Sequence, residues 1–177
     1  AEEWVNLEGR LRIVTKTEEE LTAVRKDLLA TSKETYSNVA DSIDLYIKLK
    51  DAMQNLNVEN KDIIRFTETW NKTLQVNGTA TIGAQAATLQ LSQAMGSGVL
   101  RGEELTSVME QNAYFSQRLA KEILGEGGTL GALKKLASEG KLTAEAVLNA
   151  TLNMSEGVDK DFKNVEINIS RAMVNLR

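Results

Sequence analysis

An all-α fold of about seven short-to-medium helices, most of roughly 10–20 residues, is what this chain predicts, with no sheet of consequence. Three observations carry the prediction. The 177 residues contain no proline, where an average usage near 5% would place about nine, so nothing obliges a helix to stop early. The glycines fall in groups, at Gly78, at Gly96 with Gly98, from Gly125 to Gly131, and at Gly140, where helices should end and connect. Between these groups, apolar residues recur at steps of three and four.

A 42% hydrophobic content over 177 residues is enough for one domain, residues 1–177, with a buried core. Cysteine and histidine are both absent, which excludes disulfides, the usual structural zinc sites, thiol nucleophiles and imidazole bases. No apolar run approaches the ~18 residues of a membrane-spanning helix. The 21 Lys and Arg and 25 Asp and Glu are intermixed, giving a net charge of −4. That balance argues against a dedicated nucleic-acid surface. The chain begins at Ala1 without a basic segment and following apolar stretch, and reads as a piece excised from a larger protein.

Taken in order, the opening stretch Trp4 to Thr15 alternates at Leu11 and Ile13 without a turn signal, leaving short helix and extended segment both open. At Thr17-Glu18-Glu19-Glu20 the hydroxyl and the third-residue carboxylate can satisfy backbone N–H groups, so a helix starts there. Its apolar stripe is Leu21, Val24 and Leu28. The next helix carries Tyr36, Val39, Ala40, Ile43 and Ile47 on one face and Leu45, Leu49, Ala52 and Leu56 on another. Two apolar faces predict a central helix or a self-association helix. A third helix through Ile63, Phe66, Trp70 and Leu74 ends at Asn77-Gly78, with the glycine taking the left-handed cap.

Ala80, Ala84, Ala87, Leu91 and Met95 then share a face whose small side chains admit a close neighbour. The helix stops at Gly96-Ser97-Gly98, with Val99 expected to fold back onto Ala94. Glu103 and Glu104 favour a new helix N-terminus. Leu105, Val108 and Met109, then Phe115, Leu119 and Ile123, make one or two helices closed by Gly125-Glu126-Gly127-Gly128. A short helix with Leu130, Leu133, Leu136 and Ala137 ends at Gly140, and Thr143 caps the last. There Val147, Thr151, Met154, Val158, Phe162, Val165 and Ile169 sustain one seam despite Gly157. Val165, Ile167 and Ile169 also alternate as a strand would, so the conformation of 163–177 stays open, like that of 1–16.

Motifs that carry chemistry are weak. Gly125, Gly127 and Gly131 miss the dinucleotide spacing because position 130 is Leu, and no glycine precedes the Lys-Ser/Thr of a phosphate-binding loop. Asp159-Lys160-Asp161 opens like a calcium loop but puts Asn164 where the turn needs glycine. Asn71, Asn77, Asn149, Asn153 and Asn168 begin Asn-x-Ser/Thr triplets without a secretory signal. Glu103, Glu104 and Glu110 are the nearest approach to an acid-base cluster, although the helix dipole alone favours the first two. Lys134 and Lys135 read as dipole partners, and Trp4, Trp70 and Phe115 as core or interface anchors. No catalytic, cofactor-binding or metal-ligating residue is assigned, and no enzyme is expected.

The run from Leu91-Ser92-Gln93-Ala94 through Leu100-Arg101-Gly102-Glu103-Glu104-Leu105, then Glu110-Gln111 and Gly140-Lys141-Leu142-Thr143, resembles the tape measure domain of bacteriophage tail tape measure proteins in order and spacing. Upstream, Arg10-Leu11-Arg12-Ile13-Val14-Thr15, Leu45-Tyr46 with Leu49, and Thr67-Glu68-Thr69 before Lys72-Thr73-Leu74 fall where that family has similar runs. The resemblance covers nearly the whole chain.

It implies a structural role. Such proteins lie inside the growing tail, set its length, organise tube polymerisation and leave when DNA is injected. It places the chain in the virion tail and, during assembly, in the host bacterial cytoplasm. The implied partners are copies of itself, the tail tube protein and tail assembly chaperones. A compact, glycine-punctuated chain cannot itself be a ruler at ~1.5 Å per residue, so it is assigned to the globular portion near the family's N-terminal side. The alternatives are a carboxylate-based cell-wall glycan hydrolase and a general helical adaptor.

The family usually has a proline after the Glu-Gln step, where this chain has Asn112-Ala113-Tyr114, and another near Asn164-Val165-Glu166. Without them, residues 105–124 can form one helix and the last helix can run past Val165.

Overall fold

In a computed structural model, which describes residues 2–176, nine α-helices follow one another. They are α1 (Glu2–Val14), α2 (Glu18–Glu34), α3 (Val39–Ala52), α4 (Asn60–Asn77), α5 (Thr81–Ser97), α6 (Gly102–Gln111), α7 (Ala113–Leu124), α8 (Leu130–Ser138) and α9 (Ala144–Asn175). The all-α class holds, but the count exceeds the expected seven. One extra helix is α1, which resolves the open reading of 4–15. Leu7 and Leu11, four apart, are buried with Trp4 packed beside them, while Ile13, the residue that suggested alternation, points to solvent. The other comes from a break at Asn112.

Local chemistry sets most boundaries. Thr17 Oγ1 accepts from the Glu20 N–H at 3.1 Å, and Glu20 reaches back to the Lys16 N–H, one residue before the cap. Gly78 closes α4 with φ +71°, and Thr143 Oγ1 accepts from the Ala146 N–H to open α9. The α6–α7 break needs no proline: Asn112 leaves helical geometry at φ −145°, ψ 66° and its Oδ1 caps the Phe115 N–H. The bend lets Leu105 and Val108 on α6 and Phe115 and Leu119 on α7 all reach the core. Val99, expected against Ala94, pairs instead with Thr143 in a single antiparallel bridge, with Leu100 N–H donating to Leu142 O and Ala144 N–H to Gly98 O.

α3 and α4 lie at the centre. On α3, Ile43, Leu45, Tyr46 and Leu49 are all buried, and the helix is covered by α1, α2, α4 and α5. Its two apolar faces are therefore spent inside the fold, so of the two readings offered for 36–56, central helix or self-association helix, the central helix is the one realised. Tyr36 and Leu56, counted on those faces, lie outside the helix and are exposed. On α4, Trp70 is fully buried, meets Phe115 edge-on at 4.9 Å and donates Nε1–H to Thr88 Oγ1 at 3.0 Å. α9 packs along α4 and α7, burying Val147, Thr151, Met154, Val158 and Phe162. No strand-like stretch forms at 165–169, and the helix continues to Asn175.

Candidate interaction surface

Past Phe162, α9 keeps its helix but loses its cover. Residues 163–176 form an arm on which Ile167, Ile169, Met173, Val174 and Leu176 are 41–87% exposed. The stripe formed by Val158, Phe162, Val165, Ile169, Ala172 and Leu176 advances by four and three residues, so the face buried within the body continues in phase onto the arm. Ile167 and Val174 lie on the opposite side. Only Lys163, Glu166 and Arg171 are charged among these 14 residues, and a helix apolar on two sides is one that ends up covered.

The base of the arm is pinned. Asp159 accepts from Arg65 at 2.6 Å and from Lys72 at 2.8 Å, and both bases also reach Glu68. Burial alone would raise the Asp159 carboxyl, but the hydrogen bonds from Arg65 and Lys72 outweigh it and hold the group below its ordinary value. Lys72 Nζ also sits 5.4 Å from the centre of the Phe162 ring. On the other side, Asp161 accepts from Tyr114 Oη at 2.5 Å and Arg118 Nη2 at 3.0 Å. Burial and the Asp161 hydrogen bond push the Tyr114 phenol up to about 12. Asp159 thus ties α9 to α4, and Asp161 ties it to α7. This division shows why the Asp-Lys-Asp triplet is no calcium loop: its carboxylates face different helices.

The last tether is Tyr36, whose Oη donates to Glu166 at 3.0 Å and whose ring lies 6.4 Å from that of Phe162. Its backbone is left-handed, at φ 55°, a conformation that costs a non-glycine residue on the order of 1 kcal/mol. Beside it, Ala30, Lys33, Phe162, Lys163 and Glu166 line an open groove of about 1010 Å³. Tyr36 also borders a polar cleft of about 320 Å³ between the start of α3, the end of α4 and the start of α5.

The three glutamates considered for acid-base chemistry do not converge. Glu103 and Glu110 are exposed on α6, Glu104 is half-buried, and none lines these clefts. Lys134 and Lys135 are exposed on α8. Among the described residues, no group of three or more Asp or Glu is arranged to hold a metal ion, and no helix is long and apolar enough to cross a membrane. Sequence reasoning found the seam but placed Tyr36 on an apolar helix face and missed the cleft, because nothing local shows which helix ends meet.

A family model described as tape measure protein matches residues 1–177. No curated protein and no solved structure gives a match.

Proposed function

Because the chain belongs to the tape measure protein family, whose members are structural components of the phage tail, we propose that this segment is an assembly domain that contributes to tail assembly and tail-length determination through protein–protein contacts. It acts within the virion tail and, during assembly, in the host bacterial cytoplasm. Its partners are further copies of itself, the tail tube protein and tail assembly chaperones.

The observation that carries this reading is the seam of the α9 arm, half-buried at Val165 and exposed at Ile169, Ala172 and Leu176. Solvent contact with so much apolar surface is unfavourable by ~25 cal/mol per Å², and the heptad step suits another helix of the same period. The body supplies a fixed base from which the arm projects, at ~1.5 Å per residue. No catalysis is needed for this role.

The test is to place Ile169→Glu with Met173→Glu in the tape measure gene of the parent phage or prophage and examine the particles by electron microscopy. Tail-less particles or tails of uncontrolled length are expected. Tails of normal number and length would overturn the role of the arm in assembly.

A further inference from the structure

Among the described residues, Asp41 faces no lysine or arginine. It lies half-buried on the first turn of α3, in the cleft shared with Asn71, Gln75, Thr81, Gln85 and Thr88, and that lining contains neither lysine nor arginine. Its carboxyl is held above the ordinary range by burial and by the charge of Asp44. By contrast, Glu20, Asp44, Asp159 and Asp161 each face a lysine or arginine. Deeper in the cleft Asn71, only 2% exposed, donates Nδ2–H to Ser42 Oγ at 3.0 Å. A half-buried carboxylate without a counter-charge asks for a donor that carries positive charge.

The arm offers one. Residues 167–176 contain a single charged side chain, Arg171, which is exposed and makes no ion pair among the described residues. Cleft and arm emerge at the same end of the molecule, since Tyr36 borders the cleft and also holds the arm's base. Arg171 stands about 8 Å beyond Glu166 along the helix. The surface beside the cleft is equally specific: no charged residue occurs between Lys72 and Arg101, and Ile82 and Leu89 are exposed on α5, 82% and 50%. Seven residues separate Ile82 from Leu89, as seven separate Ile167 from Val174, the two apolar residues that flank Arg171 on the arm's back face. Both pairs therefore span about 10.5 Å.

We infer that a second copy of this chain lays its arm across the N-terminal half of α5, with Ile167 and Val174 against Ile82 and Leu89 and the Arg171 guanidinium in the cleft beside Asp41 and Asn71. A chain does not place its own arm there, because α9 is an unbroken helix whose residues 167–176 all stay exposed. Reciprocal exchange between two copies makes a closed two-fold pair and leaves the seam of Val165, Ile169 and Leu176 to meet the partner's arm. This contact rests on the self-association proposed above and specifies which surface receives the arm.

Sedimentation of the 177-residue chain tests it with a double-mutant cycle of Asp41→Asn, Arg171→Gln and both together. Asp41→Asn removes a half-buried charge that has no partner among the described residues and keeps the shape, and thermal melts confirm that each variant folds. Each single change is expected to weaken self-association at least about tenfold, and the double variant no more than about threefold beyond the weaker single. Two independent losses that multiply, or none, overturn the contact. If the chain self-associates, loses association on Ile169→Glu and ignores Asp41→Asn and Arg171→Gln, the docking surface is wrong while arm-mediated association stands. A wild-type chain still monomeric at about 100 μM overturns both.

Discussion

Two glycines, Gly157 inside α9 and Gly128 in the loop between α7 and α8, have opposite meanings because of what stands beside them. A Cβ on Gly157, inside α9, would lie 2.8 Å from Arg118 Nη1, the far end of a flexible side chain. A Cβ on Gly128 would strike the backbone carbonyl of Ala120 and lie 2.9 Å from Leu124 Cβ, neither of which can swing away. Gly157→Ala gains about 1 kcal/mol of helix propensity and loses on the order of 1 kcal/mol from the partly exposed Arg118–Asp161 pair. It should leave stability unchanged or raise it slightly. Gly128→Ala should cost about 1–3 kcal/mol through overpacking. Urea titration of the two variants measures both, and a loss on Gly157→Ala as large as that on Gly128→Ala would show that Arg118 is not free to move.

At the scale of elements, the junction of α6 and α7 shows how a helix break is made without proline. Asn112 is fully buried, donates to Thr73 Oγ1 at 2.9 Å and caps Phe115, while Gln111 O accepts from Asn77 and Thr79. Asn112→Ala removes the cap and a buried hydrogen bond together, a loss of about 2–3 kcal/mol. The break itself should persist, because α4 still holds the Gln111 carbonyl. The expected result is a lower urea midpoint with unchanged far-ultraviolet helicity. A gain in helicity would mean that α6 and α7 had fused. Legibility follows the same division between local and distant causes. Thr17, Gly78, Gly140 and Thr143 mark their boundaries in the sequence because a cap involves residues within one turn. The two-sided burial of α3 is legible as well, but not its cause, since α1 and α5 reach it from far along the chain. α1 is obscured by Ile13, which mimics alternation only because it faces solvent. On α9 the period is plain, whereas the point at which cover ends depends on where α2 and α4 stop.

For the molecule as a whole, the ion cluster around Asp159 is one of the joints between body and arm. Asp159 is held below its ordinary pKa by Arg65 and Lys72 against the opposing effect of burial. A carboxylate depressed in the folded state contributes stability that is present above its unfolded pKa, near 3.9, and lost as pH falls through the folded value. Asp41 has the opposite sign. Its raised value means that protonation near and below the ordinary carboxylate range favours the folded chain, so the two groups partly cancel in an acid titration of the wild type. Comparing variants separates them. At pH 7, Asp159→Asn should cost on the order of 1 kcal/mol after screening of this partly exposed pair, a fall in Tm of about 2–4 °C. Below about pH 4 the gap should begin to narrow, because the unfolded chain then takes up a proton that the folded carboxylate resists. Asp41→Asn should show the reverse, equal to or more stable than wild type at pH 7 and losing that advantage in acid. Thermal melts from pH 7 to pH 3 decide the matter. A gap for Asp159→Asn that stays constant with pH would mean that α9 is held to α4 by packing of Val158 and Phe162 alone, and that the arm's direction owes nothing to the ion cluster at its base.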